Sequence, residues 1–255
     1  MIEERLEIPT IDAECLLLRP DRVGEFPGVV FLTDIWGIRP SNIGMAQRLA
    51  EKGFAVLMPN VFHRYSRITP AGWKPQSEAE VHKALGVLFG TLTAEQMVSD
   101  GAAYTDFLLA QVGVKSGSAS ARAGAQSNKV GVVGYCFTGQ MALRMAAAEP
   151  QTIAAAASFH GGFLVTDKPD SPHKQIPSVK ARLYFGHAVE DSTATPQQVA
   201  TLEEALRNWH GAFQSEFYQG AKHGWTVPDQ PVYNELQAER AFEKLVELLD
   251  ATLKD

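Results

Sequence analysis

Short, unbroken apolar runs separated by amphipathic segments constrain this chain more than any other feature. Val29 to Leu32, Phe54 to Met58 and Val130 to Val133 contain no polar residue. A strand with one wet face alternates apolar and polar residues; a strand covered on both faces has no reason to. Ile153 to Phe159, Ala181 to Phe185 and Phe213 to Tyr218 are further candidate strands. Between them lie segments with helical period and helix punctuation. Residues 42–52 stop at Gly53, and residues 140–148 stop at Glu149-Pro150. Residues 94–111 open on Thr93 with Gln96 three places on, a capping box, and put Met97, Gly101, Tyr104, Leu108 and Val112 on one face. Residues 196–210 open on Thr195-Pro196 with Gln198 third and bury Val199, Leu202, Leu206 and Trp209. A last helix over 232–253 buries Phe242, Leu245, Val246 and Leu249. Strands alternating with helices predict an α/β chain: a doubly wound, mostly parallel sheet with helices on both faces. Residues 2–8 and 13–18 predict an antiparallel hairpin at one sheet edge.

With 255 residues and no internal repeat, the reading is one domain spanning 1–255. Lys115 to Asn128 (KSGSASARAGAQSN) is dominated by Gly, Ser and Ala and reads as a flexible loop inserted within that domain. Residues 60–77 read as a long loop, and long loops in compact domains are often functional. The net charge of −6, with no cluster of Lys and Arg, argues against a nucleic-acid partner. No run approaches the ~20 apolar residues that span a bilayer, and the acidic start MIEERLEIPT lacks the regions of a signal peptide. The expectation is a cytoplasmic protein, off the membrane, whose two cysteines, Cys15 and Cys136, are free thiols. The histidines are scattered without metal-ligand spacing, and Gly134-x-Cys136-x-x-Gly139 lacks the second glycine of a dinucleotide loop, so no metal or cofactor is expected.

The segment Gly134-Tyr135-Cys136-Phe137-Thr138-Gly139 follows one candidate strand directly and opens a candidate helix. Strand, sharp turn with small flanking residues, then helix is the context of a nucleophile elbow. The helix N-terminus there favours a thiolate. A cysteine nucleophile needs a base. His223, in Gly220-Ala221-Lys222-His223-Gly224-Trp225, lies beyond the last strand, at the same carboxyl edge of the sheet. The base needs an acid, and the loop Gly186 to Asp191 offers Glu190 and Asp191; the shorter Asp191 is the choice. Alone, each would read as a small core cysteine, a loop histidine and a solvated carboxylate. Their order, Cys136, Asp191, His223, is that of the α/β-hydrolase fold. Two backbone N–H groups would serve as an oxyanion hole: Phe137, after the cysteine, and Ile35, in the loop after Val29 to Leu32.

These segments, together with Asp34-Ile35-Trp36-Gly37 and Lys222-His223-Gly224-Trp225, resemble the dienelactone hydrolase family over about residues 12–253. The resemblance implies a carboxylic-ester or lactone hydrolase working through a thioester acyl-enzyme. It also implies a thiol-interacting acid in the first loop, where Asp34 stands in place of the family's glutamate, one methylene shorter. Thr138 occupies a position usually held by glycine, which predicts a tighter turn. The family's arginine shortly after the catalytic histidine is missing from Trp225-Thr226-Val227-Pro228. Arg64, Arg67, His82 and Lys83 are the cations available near residues 60–90. Trp36, Tyr65 and Trp225 are the candidate substrate-binding walls. The expected partner is a small ester or lactone, and the expected state a monomer or homodimer. Two other classes stay open: a non-catalytic binding protein on the same scaffold, and a redox-sensing thiol protein with Cys15 resolving Cys136.

Overall fold

A computed structural model describes residues 1–65, 92–115 and 129–254. The expectations for Arg67, His82, Lys83, residues 66–77 and residues 116–128 lie outside the described residues.

Eight strands form one sheet: β1 (Ile2–Ile8), β2 (Ala13–Arg19), β3 (Gly28–Leu32), β4 (Ala55–Pro59), β5 (Val130–Tyr135), β6 (Ile153–Phe159), β7 (Arg182–Glu190) and β8 (Phe213–Lys222). The described α-helices are α1 (Pro40–Glu51), α2 (Ala94–Leu109), α3 (Gly139–Ala148), α4 (Pro196–Trp209) and α5 (Glu235–Leu253). The spatial order is β1-β2-β4-β3-β5-β6-β7-β8. β1 and β2 pair antiparallel, as does β2 with β4; the remaining pairs are parallel. The expected hairpin is present, with β1 at the edge.

Side-chain alternation assigns the two faces. Val30, Leu32, Val130 and Val132 join one core cluster with Met97, Tyr104 and Leu108 of α2, Met141 and Met145 of α3, and Leu202 and Leu206 of α4. Val29, Phe31, Val133 and Tyr135 join the other, with Ala46, Leu49 and Ala50 of α1 and Leu245, Leu249 and Leu253 of α5. Fully buried β3 and β5 therefore carry no charged residue, because successive side chains meet the two helix layers in turn. The helix starts follow their caps. Thr93 N–H donates to Gln96 Oε1 at 2.8 Å, and Thr195 N–H to Gln198 Oε1 at 2.9 Å.

Two expected strand ends fall short. β7 continues past Phe185 to Glu190 and β8 past Tyr218 to Lys222, paired across an irregularity between Ala188 and Glu190. β8 is an edge strand, exposed or half-buried at all but two positions, so its tail has a polar sequence while its backbone still pairs. Val112, expected on the face of α2, lies beyond the helix end and is exposed.

The chain leaves β3 toward β4 on one side, and β5 lies on the other. Such a reversal opens a crevice at the carboxyl ends of the two strands. The loops after β3, β5, β6, β7 and β8 all emerge at that edge because these strands are parallel. Among the described residues, no helix is long and apolar enough to cross a membrane.

Candidate active site

Cys136 sits where β5 ends, at φ +58. That left-handed conformation is costly for any residue with a Cβ, and such strain collects where the surrounding structure enforces it. A one-turn 3₁₀ segment, Cys136–Thr138, then leads into α3. The neighbours are held to glycine by contact. A Cβ on Gly139 would lie 2.8 Å from Gly161 Cα and closer still to Ser158 Oγ.

Thr138 does not merely fit in place of glycine. Its buried hydroxyl accepts from Tyr135 N–H at 3.0 Å and lies 2.9 Å from Thr33 O, 3.1 Å from Leu32 O and 2.9 Å from Tyr135 O. The side chain thus ties the turn to the end of β3, where the loop bearing Ile35 begins.

Three residues named from the sequence meet at this edge. His223 Nε2 lies 3.1 Å from Cys136 Sγ, and His223 Nδ1 lies 2.7 Å from Asp191 Oδ2. The side chain of Asp191 is fully buried, whereas Glu190 points outward and pairs with Lys222 Nζ at 3.3 Å. The other oxygen of Asp191 accepts from Thr193 N–H at 2.8 Å and Thr193 Oγ1 at 2.7 Å. Burial works against charge on both partners. For His223 the hydrogen bonds to Asp191 and Cys136 outweigh it, and the imidazole is pushed up to about 10. For Asp191 the hydrogen bonds from His223 and Thr193 outweigh it, and its carboxyl is held below the usual range.

Two residues here were missed in the sequence. Thr193 looks like any loop threonine until it is seen to clamp Asp191. His160, one residue past β6 and fully buried, lies behind the cysteine: its Nδ1 is 3.0 Å from Cys136 N, and its Nε2 is 2.8 Å from Thr226 Oγ1. A backbone N–H only donates, so Nδ1 is the acceptor and the proton sits on Nε2. Burial, then the nearby charge of His223, keeps His160 neutral, well below the usual imidazole range. Only a hint was available: a histidine between the end of an apolar strand and Gly161-Gly162.

Other expected residues are placed differently. Both oxygens of Asp34 are taken by Arg39, at 2.6 and 2.8 Å, and one also accepts from Trp36 N–H at 3.2 Å. Arg39 in turn holds Asp229 through Nε at 2.7 Å. Asp34 therefore braces the loop, and no hydrogen bond joins it to the Cys136 thiol among the described residues. Trp225 is fully buried, with its ring 5.1 Å from that of His160 and 4.9 Å from that of Tyr218, so it is core and not a substrate wall. Trp36 is half-buried and Tyr65 exposed. Arg64, a candidate cation for substrate, is bound to the buried carboxylate of Asp100. Cys15 is buried in β2, three strand positions from β5, about 14 Å at the usual strand spacing. A disulfide needs Cα atoms within about 7 Å. Among the described residues, no three His, Cys, Asp or Glu side chains group as a metal ligand set.

The buried histidines make stability depend on pH. His187, within β7, is lowered to about 4 by burial. Its folded form thus binds fewer protons than the unfolded chain between about pH 6.5 and 4. Stability from it is complete above that window and lost as pH falls through it. Urea unfolding at pH 5 should show a loss relative to pH 7 that is on the order of 2 kcal/mol greater than in His187→Gln. Equal pH dependence in both proteins would mean that His187 titrates normally.

An eight-stranded sheet of this order, with a cysteine on the turn after β5 and loops from β7 and β8 converging on it, defines the α/β-hydrolase class. Within that class the chain belongs to the dienelactone hydrolase family, whose model matches residues 13–253. It is 26% identical to the carboxymethylenebutenolidase of Rhodococcus opacus over 230 residues, 88% of this chain and 81% of that one. The fold matches the dienelactone hydrolase of Anabaena variabilis at a TM-score of 0.66 and 18% identity, covering 99% of this chain and 97% of that one. It also matches a dienelactone hydrolase-like promiscuous phosphotriesterase from metagenomic libraries at a TM-score of 0.75 and 19% identity, covering 99% and 98%. The protein is thus a dienelactone hydrolase-like hydrolase.

Proposed function

We propose that this protein cleaves a small carboxylic ester or lactone through a thioester on Cys136. The supporting observation is the continuous chain Cys136 Sγ, His223, Asp191, at 3.1 and 2.7 Å. His223 Nε2 holds the proton taken from the thiol, Asp191 stabilises that imidazolium, and the sulfur attacks the carbonyl carbon. The same proton passes to the departing alkoxide, leaving a thioester. His223 then removes a proton from water, hydroxide adds to the thioester, and collapse releases the carboxylic acid and regenerates the thiol. The N–H groups of Phe137 and Ile35 are the proposed oxyanion donors, each worth about 3–4 kcal/mol in the transition state. Thr138 supports them by tying the two loops together, so its hydroxyl serves positioning. Trp36 and Tyr65 remain the proposed substrate walls, joined by the ring cluster Phe62, Phe137 and Phe163, whose centroids lie 6.5 and 6.0 Å apart in succession.

The test is Cys136→Ala assayed on p-nitrophenyl acetate, with acid-quenched mass spectrometry of the parent enzyme. The variant should lose at least about a thousandfold in kcat/KM, and the parent should carry an acetyl group on Cys136. Unchanged turnover in the variant removes Cys136 from the mechanism. A parent that reacts with a thiol reagent but hydrolyses no ester in a panel favours a binding role on this scaffold.

A further inference from the structure

A cavity of about 300 Å³ lies between α1 and α5, on the sheet face opposite the one against which Cys136 packs. Its wall includes Met45, Phe159 and Phe242, and Tyr135, Thr226 and Arg48 are among its polar members, with Ser41 and Tyr233. Tyr135 precedes the cysteine, and its ring packs 5.0 Å from Phe31 and 5.6 Å from Phe159. The residue is 4% exposed and lines the cavity. A phenolic hydroxyl in a cavity wall can donate to an acceptor on a molecule that enters. Arg48 is already spent: its guanidinium grips Glu239 at 2.8 and 2.5 Å and lies over the Phe242 ring at 4.0 Å.

The cavity also connects to the cysteine. Thr226 Oγ1 in its wall receives the Nε2–H of His160, and His160 Nδ1 receives the N–H of Cys136. A molecule that shifts Thr226 therefore shifts the histidine that holds the backbone of the strained turn.

We propose that this cavity is a second ligand site, separate from the cleft at Cys136, for a compact, uncharged, mainly apolar molecule carrying one carbonyl or ether acceptor for the Tyr135 hydroxyl. An apolar cavity of ~150 Å³ accepts benzene, so this one suits a bicyclic frame. A carboxylate is disfavoured, because Glu239 already neutralises Arg48 and would repel it. Occupancy alters turnover through Thr226 and His160; this second clause rests on the hydrolase reading above, while binding does not.

The probe is 1-indanone, with indane as the control lacking the acceptor, titrated calorimetrically. Both the native protein and the protein alkylated at Cys136 with iodoacetamide should bind it saturably. A Cβ on Gly44 of α1, which lines the cavity, would meet no atom within 4 Å, so Gly44→Leu starts its side chain in open space at the cavity wall. It should abolish binding while keeping ester turnover. Tyr135→Phe should weaken 1-indanone by about five- to tenfold and leave indane unchanged, the loss expected for one hydrogen bond. Saturating 1-indanone should change kcat at least about twofold in the parent and not in Gly44→Leu. Absence of saturable binding, or binding that alkylation removes and Gly44→Leu spares, overturns the site. Binding with unchanged kcat overturns the relay alone. A protein that hydrolyses no ester but still binds 1-indanone in this pattern refutes the hydrolase reading and leaves the site standing.

Discussion

Asp191→Asn should lower kcat/KM for an activated ester by roughly a thousandfold while the protein stays folded. The reason is orientation. Oδ1 of Asp191 receives two donors, the N–H and hydroxyl of Thr193, and Oδ2 faces His223 Nδ1 at 2.7 Å. In the variant the single amide oxygen settles where two donors point, and the NH₂ group turns toward His223. Nδ1 must then accept, the proton moves to Nε2, and the imidazole loses the lone pair that takes the thiol proton. Near-identical circular dichroism and thermal midpoint, with kcat depressed across the pH range, would express this. Thr193→Val in the same background removes one of the two donors and should recover part of the rate. A drop of less than about tenfold in Asp191→Asn would show that the acid does not set the tautomer.

Gly134→Ala should be the most damaging glycine-to-alanine change among the described residues, and its damage should appear in stability. The added Cβ would lie 2.6 Å from the carbonyl carbon of Thr138 and 2.9 Å from the nitrogen of Gly139, and nearer still to the Thr138 oxygen. All three are backbone atoms of the turn that holds Cys136 at positive φ, so no side chain can rotate away. Thr138 cannot retreat either, because its hydroxyl is fastened to the end of β3. Overpacking of this kind costs typically 1–3 kcal/mol, and more where backbone must move; about 4 kcal/mol is expected here. For a chain of this length that lowers the melting midpoint by about 10 °C, given roughly 2–4 °C per kcal/mol. Gly44→Ala, in open space and inside a helix, is the matched control and should be neutral or slightly stabilising. Equal melting points for the two variants would contradict the packing argument.

The architecture was legible because its causes are local or periodic. Apolar runs at β3, β4 and β5, and the capping boxes at Thr93 and Thr195, are written in consecutive residues. The cysteine, the histidine and the acid were legible for a related reason: each follows directly on a strand, and parallel strands bring their ends to one edge. What escaped were residues whose role depends on a neighbour far away in the chain. Asp34 was expected near the thiol, but Arg39 reaches it first, held from the other side by Asp229, 190 positions beyond Arg39. Trp225 was expected to line the cleft; packing against Tyr218 and His160 put it in the core.

The amino-acid sequence alone determined the layered α/β plan, the caps of its helices and the chain order of Cys136, Asp191 and His223, since these follow from periodicity and from residue types at adjacent positions. Tertiary structure decided which oxygen of Asp191 meets His223, that Thr193 and His160 brace the site, that Thr138 locks the turn to β3, and that Arg39 claims Asp34. Each of these is a hydrogen bond between segments whose mutual distance and direction exist only once the sheet and its two helix layers are packed.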